Sequence, residues 1–259
     1  MKITMLTRLK KYQFLFEELV KRDFKQKYKR TVLGMGWSLL SPLLQLLVMS
    51  FIFGQVFGRD MEHFTIYLFC GNLTYSYFKE STSSGMSSLM SNAKIFTKIN
   101  VPKYMFLLSK NVSSLINYGL TLCIFFLFAL IDGIDFGLHF ITLIYPVICL
   151  IIFNIGIGLV LSAMFVFFRD ISYLYDIFTL LLMYMSAIFY TVDTMDPWFQ
   201  QRIYFNPIYS YIKYFRVVVL DGMIPSVRLH ILCVFYAIAA LALGAWVYKK
   251  YNHKFLYYV

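Results

Sequence analysis

FGLHFITLIYPVICLIIFNIGIGLVLSAMFVFF, residues 136–168, runs for 33 residues without an Asp, Glu, Lys or Arg. A bilayer core of ~30 Å is crossed by about 20 apolar helical residues, and in lipid every backbone N–H and C=O has to be paired within the segment. This stretch is therefore a membrane span with length to spare for tilt. The whole chain is of the same kind: of 259 residues 60% are hydrophobic and 14% charged, with a mean hydropathy of +0.67, against about 25% charged in soluble domains. That balance excludes an ordinary water-soluble enzyme. It also changes the meaning of the net charge of +11, which reads as loop charge beside a membrane, with no nucleic-acid partner implied.

Upstream of the deciding stretch, residues 37–57 form a first span containing Pro42, Gln45 and Gln55, closed by GRDMEH. A second, 64–86, carries Lys79 and Glu80 and leads into a tail, STSSGMSSLMS at 81–91, too polar to face lipid. A third covers 111–131, joined to the fourth by DGIDFGL. Downstream, a fifth follows Phe168-Arg169-Asp170 and runs to about Tyr190, interrupted by Asp176, and 229–248 is the sixth. Between them, 191–228 is broken by Pro197, Pro207 and Pro225 and by charges, so it reads as a re-entrant or interfacial helical hairpin. The expected fold is all-α and polytopic: a single transmembrane domain over 1–259 with six transmembrane helices, an N-terminal amphipathic interfacial helix within 1–30 and an outer re-entrant hairpin before the last span. Eighteen Lys and Arg fall in the connections of one side and five on the other, with Lys79 inside the second span. The positive-inside rule then places both termini in the cytoplasm. The N-terminus lacks the apolar core of a secretory signal, so no cleaved leader is expected.

Tyr12, Phe16, Val20, Phe24 and Tyr28 recur every fourth residue, with lysines mostly between them. Such a stripe sinks to the headgroup boundary while each lysine gains roughly 1 kcal/mol beside anionic lipid. A membrane-plane helix and a helix that also docks a cytoplasmic partner both satisfy the pattern. In the second cytoplasmic loop, 91–104, Ile95, Phe96 and Ile99 make one apolar face of a short helix that Pro102 ends; an ordinary basic loop is the alternative. Lys79 and Glu80 either face protein and water deep in the second span or mark its early end. Asp176 either reaches water or pairs with Arg169, two turns away, if the helix continues through Arg169. The four cysteines show no metal or disulfide spacing and read as packing residues, and the four histidines as interfacial hydrogen-bonding groups. No phosphate loop is present, so energy for any transport has to come from elsewhere.

In the hairpin, Pro207 removes a donor and biases Asn206 away from helix, which predicts a break between two short helices. Trp198, Tyr204, Tyr209 and Tyr211 are the expected interfacial anchors, with wet polar tips. Arg202, Lys213 and Arg216 are expected to face lipid phosphate or an anionic linkage of a substrate, or else to snorkel to water.

Arg22-Asp23-Phe24-Lys25, Tyr28, Thr31, Leu33-Gly34 and Trp37, then Asn92-Ala93, Val101-Pro102-Lys103, Phe168-Arg169-Asp170 and Asn206-Pro207 followed by Arg216 stand in an order that resembles the membrane (permease) subunits of ATP-binding-cassette exporters of cell-surface polysaccharides. The O-antigen and teichoic-acid permeases are the nearest group, and the likeness covers nearly the whole chain. Leu107 and Ala187 stand where relatives often carry proline, which puts local helix breaks there in doubt. The resemblance implies a multi-pass protein of the bacterial plasma (inner) membrane, acting as a homodimer with two copies of a separate ATPase subunit. ATP and Mg would be held by that partner, with no cofactor, metal or catalytic residue in this chain. It further implies that Phe16, Phe24, Tyr28, Ile95, Phe96, Ile99 and Pro102 dock the ATPase. Tyr75, Tyr77, Phe78, Ser81, Ser84 and Ser88 are the candidate wall of a pathway for a lipid-linked polysaccharide, where rings meet sugar faces and hydroxyls exchange hydrogen bonds. Asn206, Pro207, Arg202, Lys213 and Arg216 would form an outer gate at headgroup level. Alternatives are a drug or haem exporter of related architecture, which long soluble insertions or a fused ATPase would favour, and a membrane-embedded glycosyl- or acyltransferase, which needs a polar catalytic cluster at a span end. An ion-driven transporter would show paired broken repeats.

Overall fold

The computed structural model describes residues 12–56, 62–193 and 195–258, apart from the side chains of Tyr28, Gln55 and Val56. Lys10, Lys11, Phe57, Arg59 and Asp60, and the Tyr28 and Gln55 side chains, thus lie outside the described residues. Among those described, every regular element is helical: α1 (Gln13–Tyr28), α2 (Trp37–Val56), α3 (Phe64–Met86), the single turns α4 (Ser88–Ser91) and α5 (Ala93–Phe96), α6 (Tyr104–Ile131), α7 (Ile144–Phe167), α8 (Ile171–Met185), α9 (Pro197–Arg202), α10 (Pro207–Val219) and α11 (Val227–Tyr251). The chain is an all-α, multi-pass membrane protein.

Four segments are both long and apolar enough to cross a bilayer: 34–54, 104–131, 138–167 and 227–251. The helix α3 has the length, at 23 residues, but its polar side chains lower its hydropathy. Several of them are turned into protein: Ser81 donates to Asn111 Oδ1 at 2.6 Å, Ser84 and Ser114 hydroxyls meet at 3.4 Å, and Tyr175 donates to Thr82 Oγ1 at 2.6 Å. The tail that could not face lipid is interhelical glue. By contrast α8 has only 15 residues, about 22 Å of helix against a ~30 Å core. It stops at Ser186, and Ala187 takes a left-handed φ of +50°. The break that an alanine put in doubt is therefore present without proline. At Leu107 the helix α6 runs on unbroken.

The centre of the bundle is α3, α6, α7 and α11, with α10 driven among them. Helices α7 and α11 run parallel, tied at one end by Tyr145 Oη donating to the His230 carbonyl at 2.8 Å and at the other by Phe167 against Tyr251. Midway, the backbones of Gly156 and Gly244 touch; a Cβ on Gly156 would collide with the backbone of Ala240 and Leu241, and one on Gly244 with the Gly156 carbonyl. The end of the bundle that carries α1 and the C-terminal tail is called the terminal end below. The facing end carries His63, whose Nδ1 lies 2.6 Å from Asp132 Oδ2 and links the start of α3 to the end of α6.

The segment 191–228 is two short helices joined by a turn. Helix α9 lies at the surface, with Trp198 61% exposed, and the 3-10 turn Ile203–Phe205 buries Ile203 and exposes Phe205. The helix α10 is core: Tyr209 and Tyr211 are buried, and the Tyr211 hydroxyl donates to the Cys233 carbonyl at 2.9 Å. Their sequence surroundings look interfacial because Pro207, Lys213 and Arg216 share their helix, whereas Tyr209 and Tyr211 lie on its buried, aromatic face.

A charged cavity, a terminal platform and a buried arginine

A cavity of about 810 Å³ opens between α1, α2, α3 and α6, with Asp176 of α8 at its edge. Helix α2 contributes Ser38, Ser41 and Gln45, and α3 contributes Asn72, Ser76 and Ser83. Opposite them α6 contributes Ser114, Asn117 and Thr121. At its terminal side Lys27, in the last turn of α1, donates to Glu80 at 2.9 Å, and Asn117 Nδ2 donates to the same carboxylate oxygen at 2.7 Å. Lys79 lines the cavity as well. The adjacent charges of α3 thus face the cavity, Glu80 in a bridge joining three helices. Asp176 is not in a helix continuous with Arg169: Phe168 is extended, and α8 begins at Ile171.

Of the expected pathway wall, Tyr77 lines this cavity, its ring stacked on Tyr118 at 4.3 Å. The others lie elsewhere. Tyr75 is buried with its hydroxyl on the Thr179 carbonyl at 2.7 Å, and Phe78 packs on Phe153. Ser81 and Ser84 join α3 to α6, as above, and Ser88 is buried in the turn α4. Spacing alone does not say which face of α3 meets a neighbour. Asn72, Ser76 and Asn117, which line the cavity, escape a reading of the sequence because isolated amides and serines in apolar spans carry no local signal.

At the terminal end, motifs far apart in sequence meet. Asp23 is buried; Arg22 Nη2 lies 2.8 Å from its Oδ1 and Lys110 Nζ 3.0 Å from the same oxygen. Arg22 also donates to Asn92 Oδ1 at 2.8 Å, and Asn92 Nδ2 donates to the Ser88 carbonyl at 2.8 Å. The α1 motif is thereby tied to the 91–104 loop and to α6. Lys103 donates to the Asn252 carbonyl at 2.7 Å and lies over the Phe96 and Phe255 rings, and burial lowers its ammonium below the ordinary lysine value. Phe255 is fully buried, so the C-terminal tail closes the same platform.

This platform corrects the expectation for α1 and the loop. The packed face of α1 is Leu15, Phe16 and Leu19, with Asp23; Phe14, outside the every-fourth stripe, is 79% exposed. Phe24 is half-buried, and the Tyr28 ring lies outside the described residues. Phe96 packs inside the chain against Phe106 and is 5% exposed, so it offers no open surface. Ile95 and Pro102 are half-buried, and Ile99 is 53% exposed. A four-residue α5 cannot carry one common face: Phe96 turns in and Ile99 turns out.

In the hairpin, Asn206 caps α10, accepting from the amides of Ile208 at 2.9 Å and Tyr209 at 3.4 Å, and its Nδ2 donates to Ser186 Oγ at 2.9 Å. Pro207 occupies the first turn, where its missing N–H costs nothing. Arg202 stacks on Trp198, 4.1 Å from the ring centroid, and Lys213 is half-buried. Arg216 does not face headgroups. It is 4% exposed, donates to the carbonyls of Ala187 at 2.8 Å, Ile188 at 3.1 Å and Tyr67 at 3.4 Å, and lies over the Tyr67 ring. Gly71 of α3 makes room for it: a Cβ there would stand 3.2 Å from Arg216 Nη2. A cation is held here because the unwound residues after α8 leave carbonyls that no helix pairs. Among the described residues no cluster of His, Cys, Asp or Glu suited to a metal is present.

Apolar helices around a polar, charged cavity, with a packed platform at one end, are the architecture of a multi-pass membrane protein. The chain belongs to the ABC-2 type transporter family, which it matches over residues 15–220. It is 27% identical over 247 residues to an O-antigen export system permease protein RfbA of Klebsiella pneumoniae, covering 93% of this chain and 95% of that one. An RfbA of Myxococcus xanthus is 25% identical over 228 residues, covering 86% and 87%, and the polysialic acid transport protein KpsM of Escherichia coli is 22% identical over 237 residues, covering 90% and 92%.

Proposed function

We propose that this chain is the transmembrane subunit of an ATP-driven exporter that moves a lipid-linked cell-surface polysaccharide across the bacterial inner membrane. The reading is carried by the cavity: hydroxyls and amides of α2, α3 and α6 line it on a chain otherwise built for lipid, and polar groups at membrane depth are kept for substrate paths. The names of the relatives, which handle O-antigen and polysialic acid, support a glycan as cargo over a drug or haem. Both termini lie in the cytoplasm, and α3 and α8 complete six crossings, α3 with its polar groups turned to protein or to the cavity and α8 together with the residues that follow it to Tyr190.

The chain works as a homodimer with two copies of a separate ATPase subunit, which holds ATP and Mg; this chain holds no cofactor. The platform receives the ATPase through its exposed residues, Phe14 and Ile99 among them. A tilt of α1 then pulls Lys27 from Glu80, since Asp23, one helical turn earlier, is fixed to Lys110. The bridge closes the terminal mouth of the cavity at rest and opens it on ATPase engagement. Arg216 acts as a brace for the hairpin.

The test is deletion of the gene in its host, followed by detection of surface glycan and of lipid-linked glycan inside. Loss of surface glycan with accumulation inside, restored by the intact gene and not by Ser76→Leu with Asn117→Leu, is expected. Unchanged surface glycan with altered drug or haem sensitivity would transfer the chain to the small-molecule reading.

A further inference from the structure

The parallel pair α7 and α11 carries a second concavity, apart from the charged cavity. One to three turns beyond the Gly156–Gly244 contact, toward the terminal end, a groove of about 440 Å³ is lined by Ala163, Met164 and Phe167 of α7, Val247 and Tyr251 of α11, and Lys254. Its walls are apolar and aromatic; Tyr258 stands edge-on to Phe167 at 4.9 Å and closes one flank. The groove opens outward, with Met164 39%, Phe168 71% and Tyr258 56% exposed. Among the described residues that line it the one cation is Lys254, 6.0 Å from the Tyr251 ring. The chain bordering the groove adds Arg169, Lys249 and Lys250 and one carboxylate, Asp170. Lys250 covers the Trp246 and Tyr251 rings at 4.9 and 5.6 Å.

An apolar slot running along the helices, with a cation and interfacial aromatics at its boundary end, matches one amphiphile: an acyl chain below an anionic headgroup. The mostly apolar walls favour an acyl chain over a glycan as occupant. We propose that this groove binds one anionic phospholipid of the surrounding bilayer, acyl chain against Ala163, Phe167 and Val247, phosphate at Lys254. The proposal requires only that the chain sit in a membrane and stands apart from the export reading.

Native mass spectrometry of the full chain in detergent, titrated with phosphatidylglycerol and separately with phosphatidylcholine, tests it. One tightly retained phosphatidylglycerol per chain is expected, which phosphatidylcholine does not displace. Lys254→Gln should weaken it about fivefold, the effect of one cation at the surface, and Met164→Trp should fill the slot and abolish retention. Thermal midpoints in lipid-free detergent check that the variants fold; if Met164→Trp does not, Lys254→Gln decides. Equal retention of the two phospholipids, wild-type retention in Lys254→Gln, or preference for a lipid-linked glycan overturns the proposal.

Discussion

The guanidinium of Arg216 donates to the carbonyl of Ala187 at 2.8 Å, joining the last turn of α10 to the residue after α8 that turns left-handed. The break and the cation are one device, since the unwound carbonyls need a donor and the buried cation needs acceptors. Removing the donor leaves carbonyls without partners, about 1–3 kcal/mol for each unsatisfied group. Arg216→Gln should lower the thermal midpoint of the purified protein and reduce its abundance, while Arg216→Lys, lacking the fork, recovers only part. A fall in export at unchanged midpoint would instead give Arg216 a substrate role.

Asp23 and Lys110 form the least exposed ion pair at the terminal platform, 2% and 18% by side chain. Asp23→Asn leaves Lys110 without its counter-charge and should destabilise by up to about 3–5 kcal/mol, discounted because Lys110 keeps some water. Limited proteolysis should then cut near α1 sooner than in the parent. Equal cleavage rates would mean that Leu15, Phe16 and Leu19 hold α1 unaided.

Lys27 and Glu80 are 44% and 35% exposed, so their direct coupling is expected below about 1 kcal/mol. Its importance is positional. Lys27→Glu should impair glycan export, and adding Glu80→Lys should restore much of it at unchanged protein level. A double exchange no better than the single one would remove the gate from the mechanism.

Phe96 and Ile99 should separate cleanly. Phe96→Asp places a charge among Phe106 and Lys103 and forfeits a buried ring, a loss of at least ~3–5 kcal/mol, visible as lost folded protein. Ile99→Asp should leave the midpoint unchanged and weaken co-purification with the ATPase. If Ile99→Asp retains the ATPase fully, the docking surface lies elsewhere on the platform.

The four segments long and apolar enough to cross a bilayer were legible from charge-free runs, because lipid tolerates no other backbone. The two segments that resisted, α3 and α8, did so for opposite reasons: α3 hides polar groups between helices, which composition counts against it, and α8 is cut short by a conformation at Ala187 that no residue type announces. For the site, the chain order of Arg22-Asp23 and Asn92-Ala93 marked the platform, but their direct contact is a tertiary fact. Arg216 was visible as a cation in an odd place, and only the carbonyls around it tell a brace from a phosphate contact.

The meeting of Gly156 with Gly244 sets backbone against backbone at the crossing, so α7 and α11 form a keel whose two timbers resist sliding past one another. The charged cavity lies outside this keel, between α1, α2, α3 and α6, so any change in its volume falls to those walls, of which α2 is only weakly embedded, with Leu47, Val48 and Phe51 all more than half exposed. A covalent staple across the keel would go unnoticed by a working transporter, while one fastening α2 to α3 would seize it.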